Sequence, residues 1–282
     1  MRMLITGGSG YLGRDLVRQA TAAHNVAYSW FRHDPLALPH GQQLDLREET
    51  AVLDLATRFR PDVIIHTAGS NRGDDLHGAI VDGTRHVVAA AAAVQARLIH
   101  LSTDSIFDGL AGTPYDESTP PSPVNAYGRA KAAAEDLVRP YPNHVIVRTS
   151  LIYDLREMDH GTQWMAEALR AGRPVTLFTN QRRSPVWRQT LSLACLELAA
   201  LPFTGTLNVA GSQVLTRAEF SLRMLDWWGI SSRETLSFGP SPAGAWPLDC
   251  ALDVRRATAV LSTPLPGVDA VLSPAKRPQT RS

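Results

Sequence analysis

"TGGSGYLGRDL", Thr6 to Leu16, joins the apolar run Met3–Thr6 to a segment of helical periodicity, Leu12 to Ala22, through glycines at positions 7, 10 and 13. A glycine series between a strand and a helix is the setting in which this spacing marks a phosphate cradle. The first glycine permits a tight turn, the second lets a pyrophosphate approach bare backbone, and the third lets helix and strand close on each other. Free N–H groups and the positive end of the helix dipole then face the phosphates. A plain glycine turn would require neither flank.

Outward from this stretch, short apolar runs alternate with longer helical ones. The strands read Met3–Thr6, Val26–Phe31, Asp62–His66, Arg97–Ser102 and His144–Ser150, with helices over Leu12–Ala22, Glu48–Phe59, Ala79–Gln95 and Ala126–Val138. This alternation predicts an α/β fold, a doubly wound parallel sheet of the Rossmann type. After Ser150 the pattern loosens into proline- and tryptophan-containing loops, which predicts a smaller C-terminal substrate lobe over residues 151–272 beside a dinucleotide-binding domain over 1–150. The helix Arg188–Ala200 and the strand Thr206–Ala210 keep regular patterns, so 188–210 is expected to return to the first domain. Residues 273–282 are too poor in apolar side chains to pack and are expected to be a disordered tail.

Composition narrows the partners. The 282 residues are 44% hydrophobic and 20% charged with a formal net charge of +1, which gives no electrostatic case for nucleic acid. Cys195 and Cys250 form no paired motif, and no apolar run approaches the length of a membrane span. A cytoplasmic protein without membrane contact, acting on a small molecule, is the expectation. The nine histidines show no metal spacing, and no metal is assigned. "NRGD", Asn71–Asp74, resembles an adhesion tripeptide, which chance explains in a cytoplasmic chain.

The second strand bears on the cofactor. Dinucleotide folds that take NAD usually end this strand with Asp or Glu for the ribose 2′-hydroxyl, whereas here it runs VAYSWFRHD. Arg32 stands near the place of the acid, and a guanidinium suits a 2′-phosphate; Arg14 could assist. NADP(H) is therefore favoured over NAD(H). Tyr11 and Leu12 in the glycine stretch, Asp45 and Leu46 after a short third strand, and Ala68 and Gly69 after the fourth complete the candidate cofactor contacts. Asp45 would meet the adenine edge, with helix capping as its other reading.

Two further features carry chemistry: "LSTDSIFDG" from Leu101, and "YGRAK", Tyr127 to Lys131. Tyr and Lys four apart share one helical face. A nearby ammonium would favour the phenolate of Tyr127 and lower its pKa from about 10, making it a proton donor or acceptor near neutrality. Thr103, at the carboxyl end of its strand, could hydrogen-bond the same reacting oxygen.

The glycine stretch, "HTAGS", "STDSIFDG", "PYDESTPPSPVNAYGRAKAAAE", "VIVRTSLIY", "RSPVWRQTLSLACLELA", "GTLNVAGS" and "PLDCALDV" together resemble the extended short-chain dehydrogenase/reductases. Within these, the chain is most similar to dTDP-4-dehydrorhamnose reductases and related sugar-nucleotide reductases. The resemblance implies that Thr103, Tyr127 and Lys131 are catalytic, with Lys131 also reaching the nicotinamide ribose, and that Gly7, Gly10, Gly13 and Arg32 serve the cofactor. It implies hydride delivery to a ketone, on a nucleotide-linked sugar or a similarly polar molecule, while Tyr127 protonates the oxygen. A homodimer through two long sheet-packed helices is a further implication. Asp104, Ser105, Arg183 and Trp187 are the candidate substrate contacts, with Arg182 and Arg188 beside them.

Several positions depart from the family pattern. Ser105 replaces the Tyr of STDYVFDG; Asp82 in AIVDGTRHV stands for the Asn of VNVxGT, implying altered support for the lysine; Asn180 and Val186 replace a common Asp and Thr. Ser105 also disfavours a dehydratase, whose pattern is TDE. Two rivals remain: a non-catalytic NADP-binding regulatory subunit, like that of methionine adenosyltransferase, and an epimerase that returns its hydride.

Overall fold

The computed structural model describes residues 1–69, 75–242, 244 and 246–273; Ser70, the Asn71–Asp74 tetrapeptide and the tail from residue 274 lie outside them. The first half of the chain runs β1 (Arg2–Thr6), α1 (Tyr11–Thr21), β2 (Asn25–Trp30), β3 (Gly41–Gln43), α2 (Glu49–Phe59), β4 (Val63–His66), a π-helical turn (His77–Asp82), α3 (Gly83–Val94), β5 (Arg97–Thr103), α4 (Ala126–Val138) and β6 (His144–Thr149). The second half runs β7 (Ile152–Tyr153), α5 (His160–Arg170), β8 (Val175–Phe178), β9 (Arg182–Arg183), β10 (Val186–Trp187), α6 (Arg188–Ala200), β11 (Gly205–Asn208), β12 (Leu215–Thr216), α7 (Arg217–Trp227), β13 (Leu236–Gly239), α8 (Arg255–Val260) and α9 (Val268–Val271).

Seven strands form one parallel sheet in the order β11-β6-β5-β4-β1-β2-β3. Apart from the short edge strand β3, its strands are mostly apolar on both sides because helices cover both faces. On α1 the side chains of Leu12, Leu16, Val17 and Ala20 recur at helical spacing and are buried with α6 residues Leu191, Ala194, Cys195 and Leu198 against one face. Val52, Leu55 and Ala56 of α2, Val87, Ala90 and Ala91 of α3, and Val138 of α4 cover the other. The alanines of α3 are small enough for this helix to sit close to the sheet.

Strand order reverses between β1 and β4, so a crevice opens at their carboxyl ends, where open α/β sheets bind ligands. β11 pairs in parallel with β6, and α6 packs on α1, so 188–208 belongs to the large sheet. The remaining second-half elements form a lobe with its own core of Met165, Ala166, Leu169, Val175, Leu177, Ala218, Leu225 and Ile230. Asp159 caps α5 by accepting from the N–H groups of Gly161 and Thr162, and Thr216 with Glu219 forms a reciprocal cap on α7. No described helix is long and apolar enough to cross a membrane.

Candidate active site

The cradle after β1 is tight enough to exclude side chains. Gly7 has φ +72°, and a Cβ there would lie 2.7 Å from the Ala68 backbone nitrogen, so the loops after β1 and β4 touch. At Gly13 a Cβ would fall 2.1 Å from the Gly7 carbonyl oxygen, and at Gly10 3.1 Å from the same atom. α1 opens with no side-chain cap and no acidic residue in its first turn. Bare backbone at an uncapped helix N-terminus fits a pyrophosphate. Tyr11 and Leu12 open this helix, while Ala68 and Gly69 face it from β4.

At the end of β2, Arg32 is exposed and its guanidinium lies 5.3 Å from the Phe31 ring centroid, with that of Arg47 5.7 Å from the same ring. Arg47 went unnoticed in sequence; its neighbourhood to Arg32 comes from the turn after β3. It also engages Asp45, donating from Nε and Nη2, which holds the Asp45 carboxyl below its usual range. Asp45 is therefore tied to a cation, and Leu46 is buried beneath it. Arg14 is likewise occupied, pairing with Glu157 at 2.5 Å.

Thr103 ends β5 and Tyr127 opens α4, whose N-cap Asn125 accepts from the Gly128 N–H at 2.8 Å. A Cβ at Gly128 would strike the Ser105 carbonyl oxygen at 2.1 Å, so glycine lets α4 seat its first turn on the Thr103–Ser105 segment. The half-buried Tyr127 phenol is pushed up to about 12 by burial and by the Asp104 carboxylate, partly offset by a hydrogen bond with Thr103. The lowering by Lys131 expected from the sequence is not found. The Lys131 amine instead donates to the Leu101 carbonyl oxygen and lies 3.3 Å from His100 Nε2. Burial pushes Lys131 itself down to about 8, against the favourable charge of Glu135. Tyr127 is thus a protonated donor at neutral pH, and Lys131 is cationic only below about 8.

Two substrate candidates have protein partners. Asp104 is 4% exposed, accepts from Ser150 Oγ at 2.6 Å and from Ser105 Oγ at 3.3 Å, and lies 3.5 Å from Arg183 Nε. Arg183 is 5% exposed and donates to the carbonyls of Arg182, Pro247 and Leu248. These residues clamp the lobe to the catalytic segment; a charged pair needs such partners when buried. Trp187 donates Nε1 to Asp154 at 3.1 Å and, with Arg188, lines a cleft of about 740 Å³ on the α1 flank. Arg188 pairs with Asp154 and Glu157 and lies over the Tyr11 ring at 4.5 Å. Arg182 pairs with Asp249 at 3.0 Å.

Sequence reading missed Arg217, the first residue of α7. It is partly buried, its Nη2 lies 3.6 Å from where a Gly161 Cβ would stand, and Asp159, Arg183 and Asp104 are the charges around it. Among the described residues no ion pair engages it. Nothing in VLTRAEF distinguishes it from a surface arginine.

The departure placed at Asp82 also moves. Counting back from Gly83–Thr84, the Asn of VNVxGT falls on Ile80, which is fully buried with Ala130 and Ala134 of α4. Asp82 turns outward to Arg85 and to His77 at 3.5 Å. Among the described residues no group of three His, Cys, Asp or Glu side chains could hold a metal.

Comparison with known proteins gives one family: the RmlD substrate binding domain matches residues 1–268. The chain is 30% identical to a probable low-salt glycan biosynthesis reductase of Haloferax volcanii, over 80% of each chain. It is 33% identical to a dTDP-4-keto-6-deoxy-D-glucose reductase of Streptomyces niveus, over 68% of this chain and 66% of that one. Methionine adenosyltransferase 2 subunit beta of Xenopus laevis is 28% identical over 88% and 80%. Among solved structures, a hypothetical dTDP-4-dehydrorhamnose reductase from Sulfolobus tokodaii superposes with TM-score 0.83 at 29% identity, covering 96% of this chain and 99% of that one. The NADP complex of a dTDP-4-dehydrorhamnose reductase from Bacillus anthracis shares the fold, with TM-score 0.82 at 23% identity over 96% of both chains.

Proposed function

The chain belongs to the RmlD substrate binding domain family, and from that premise we propose that it is an NADPH-dependent ketoreductase acting on a nucleotide-linked 4-keto sugar. The observation that carries the reading is the meeting of Thr103, Tyr127 and Lys131 at the carboxyl end of β5, in the crevice that the glycine cradle also borders. The reductase relatives and the nucleotide-bound neighbour support it. Gly7, Gly10, Tyr11, Leu12 and Gly13 would hold the pyrophosphate, Ala68 and Gly69 the facing wall, and Arg32 with Arg47 the 2′-phosphate that distinguishes NADPH from NADH. Bound there, the nicotinamide supplies hydride.

The protein's part is orientation and proton delivery. Tyr127, kept protonated by its surroundings, donates to the carbonyl oxygen as negative charge develops on it; a high phenol pKa suits donation rather than abstraction. The Thr103 hydroxyl, hydrogen-bonded to the phenol, holds the same oxygen, and the Lys131 ammonium, one helical turn along, would hold the nicotinamide ribose. Arg217, a lobe cation with no ion pair among the described residues and with Asp159, Arg183 and Asp104 as the charges around it, suits the diphosphate of a sugar nucleotide. Cytoplasmic location and a homodimer belong to this reading, and sedimentation equilibrium checks the dimer.

The test is Tyr127→Phe with a panel of dTDP- and UDP-linked 4-keto sugars, following loss of NADPH absorbance. Turnover should fall at least about a hundredfold with NADPH affinity retained; unchanged turnover refutes the mechanism. The similarity to a methionine adenosyltransferase subunit over 88% of the chain favours a second reading, a non-catalytic NADP-binding subunit. Stoichiometric co-purification of an enzyme, together with no turnover on any ketone, would decide for it.

A further inference from the structure

Three adjacent strands place a polar row under the crevice. Thr6 of β1 is in register with His66 of β4, and His66 with His100 of β5, so their side chains share a face. His66 Nδ1 lies 2.7 Å from Thr6 Oγ1, and its Nε2 lies 3.1 Å from Thr84 Oγ1 of α3. The His66 and His100 rings are 5.1 Å apart, and His100 Nε2 reaches the Lys131 amine at 3.3 Å. His100 is fully buried, and among the described residues its Nδ1 has no hydrogen-bond partner.

That unpartnered nitrogen is informative. Burial and the Lys131 charge hold both imidazoles well below the usual histidine range, so both are neutral. A neutral imidazole facing an ammonium accepts through Nε2 and carries its proton on Nδ1, the atom left without a partner. An apolar residue at position 100 would avoid burying that N–H. A buried polar group retained without full satisfaction requires another reason, and its accepting nitrogen aimed at the amine supplies one.

We propose that His100 is a positioning residue for Lys131: its imidazole, with the Leu101 carbonyl, fixes the amine one helical turn beyond Tyr127 and holds its charge. What the amine does there rests on the ketoreductase reading; how it is held does not. The titratable groups that act on it or feel its charge are Glu135 on α4, His100 on β5 and His66 on β4, with His144 of β6 acting on His100. Glu135 and Leu101 remain when His100 is replaced, so the effect is a shift and not a loss.

The sequence makes the test direct, because Lys131 and Lys276 are its only lysines. In Lys276→Arg protein labelled with [ε-13C]lysine, one signal reports the Lys131 amine without any ligand. Its midpoint should fall by about one pH unit, a tenfold loss of proton affinity, in His100→Leu, and return near the parent value in His100→Gln, whose amide oxygen can accept. If Leu does not fold, His100→Met gives the same contrast. An unmoved midpoint in a folded Leu or Met variant overturns the proposal, because mere packing would change melting temperature alone. In turnover, the alkaline limb of kcat should move with the amine. Should the parent turn over no ketone, the ketoreductase reading fails while the amine midpoint still decides on His100.

Discussion

The buried pair beneath the catalytic helix allows a prediction with a sign as well as a size. Glu135 is fully buried on α4 and accepts from Arg148 Nε at 3.1 Å and Nη2 at 2.9 Å, from Arg139 Nη2 at 2.8 Å and from Ser102 Oγ at 2.6 Å. Arg148 is 1% exposed; its other hydrogen bonds are long ones to the carbonyls of Glu117 at 3.3 Å and Thr119 at 3.5 Å, and its guanidinium lies 5.2 Å from the Phe107 ring centroid. Removing one partner of a buried pair generally costs about 3–5 kcal/mol, since an uncompensated charge remains. The two removals are unequal here. Glu135→Leu strands a guanidinium that cannot shed its proton, whereas Arg148→Met leaves a carboxylate with Arg139, Ser102 and the option of protonation. The first should cost about 4 kcal/mol and the second about half that. At roughly 2–4 °C per kcal/mol, Glu135→Leu lowers the melting temperature by about 8–16 °C. The double variant should be less destabilised than the sum of its singles, a coupling of about 1–3 kcal/mol. Urea unfolding followed by circular dichroism at pH 7 measures all three. Additive losses, or a larger loss for Arg148→Met than for Glu135→Leu, would refute the reasoning.

Gly13→Ala should abolish NADPH binding in fluorescence titrations, because its Cβ meets backbone at 2.1 Å and 2.8 Å, with no flexible side chain to yield. Arg32→Ala should weaken NADPH about 10- to 100-fold, the worth of a charge-assisted hydrogen bond, and leave NADH unchanged; equal losses for both would remove Arg32 from the 2′-phosphate. Turnover should fall as pH rises through about 8, because burial brings the Lys131 amine down to that value and the neutral form loses the charge with which it would hold the bound cofactor. A kcat flat to pH 10 would contradict this.

β1, β2, β4, β5 and β6 were legible in sequence to within about a residue because each is mostly apolar and bounded by turn residues, whereas β3, three polar or small residues, had no such signal. α4 and α6 were legible at both ends. The elements of the lobe were not: β9, β10 and β12 are two residues long and exist only through partners such as Thr216 opposite Arg182, some thirty residues on. The π-helical turn before α3 has no periodic signature, and reading Ala79–Gln95 as one helix concealed that Ile80 turns inward and Asp82 outward. Tyr127 and Lys131 share a helical face by spacing, but a Tyr and a Lys four apart are common by chance, and the ordered motifs around them carried the assignment. Their protonation was not legible, because it depends on Asp104, His100 and burial, all assembled from other elements. Arg183 and Asp104 had the residue types of substrate contacts, yet each finds its partners inside the fold.

The return of α6 and β11 to the sheet governs how this molecule can be taken apart. Cutting the chain after residue 150 would strip Leu191, Ala194 and Leu198 from one face and leave β6 with a naked edge, so the first 150 residues are not a free-standing module. The lobe is woven into its host through several crossings. Grafting specificity from a relative therefore means exchanging matched inserts around a retained 188–208 segment, and a single-junction chimera should yield insoluble protein.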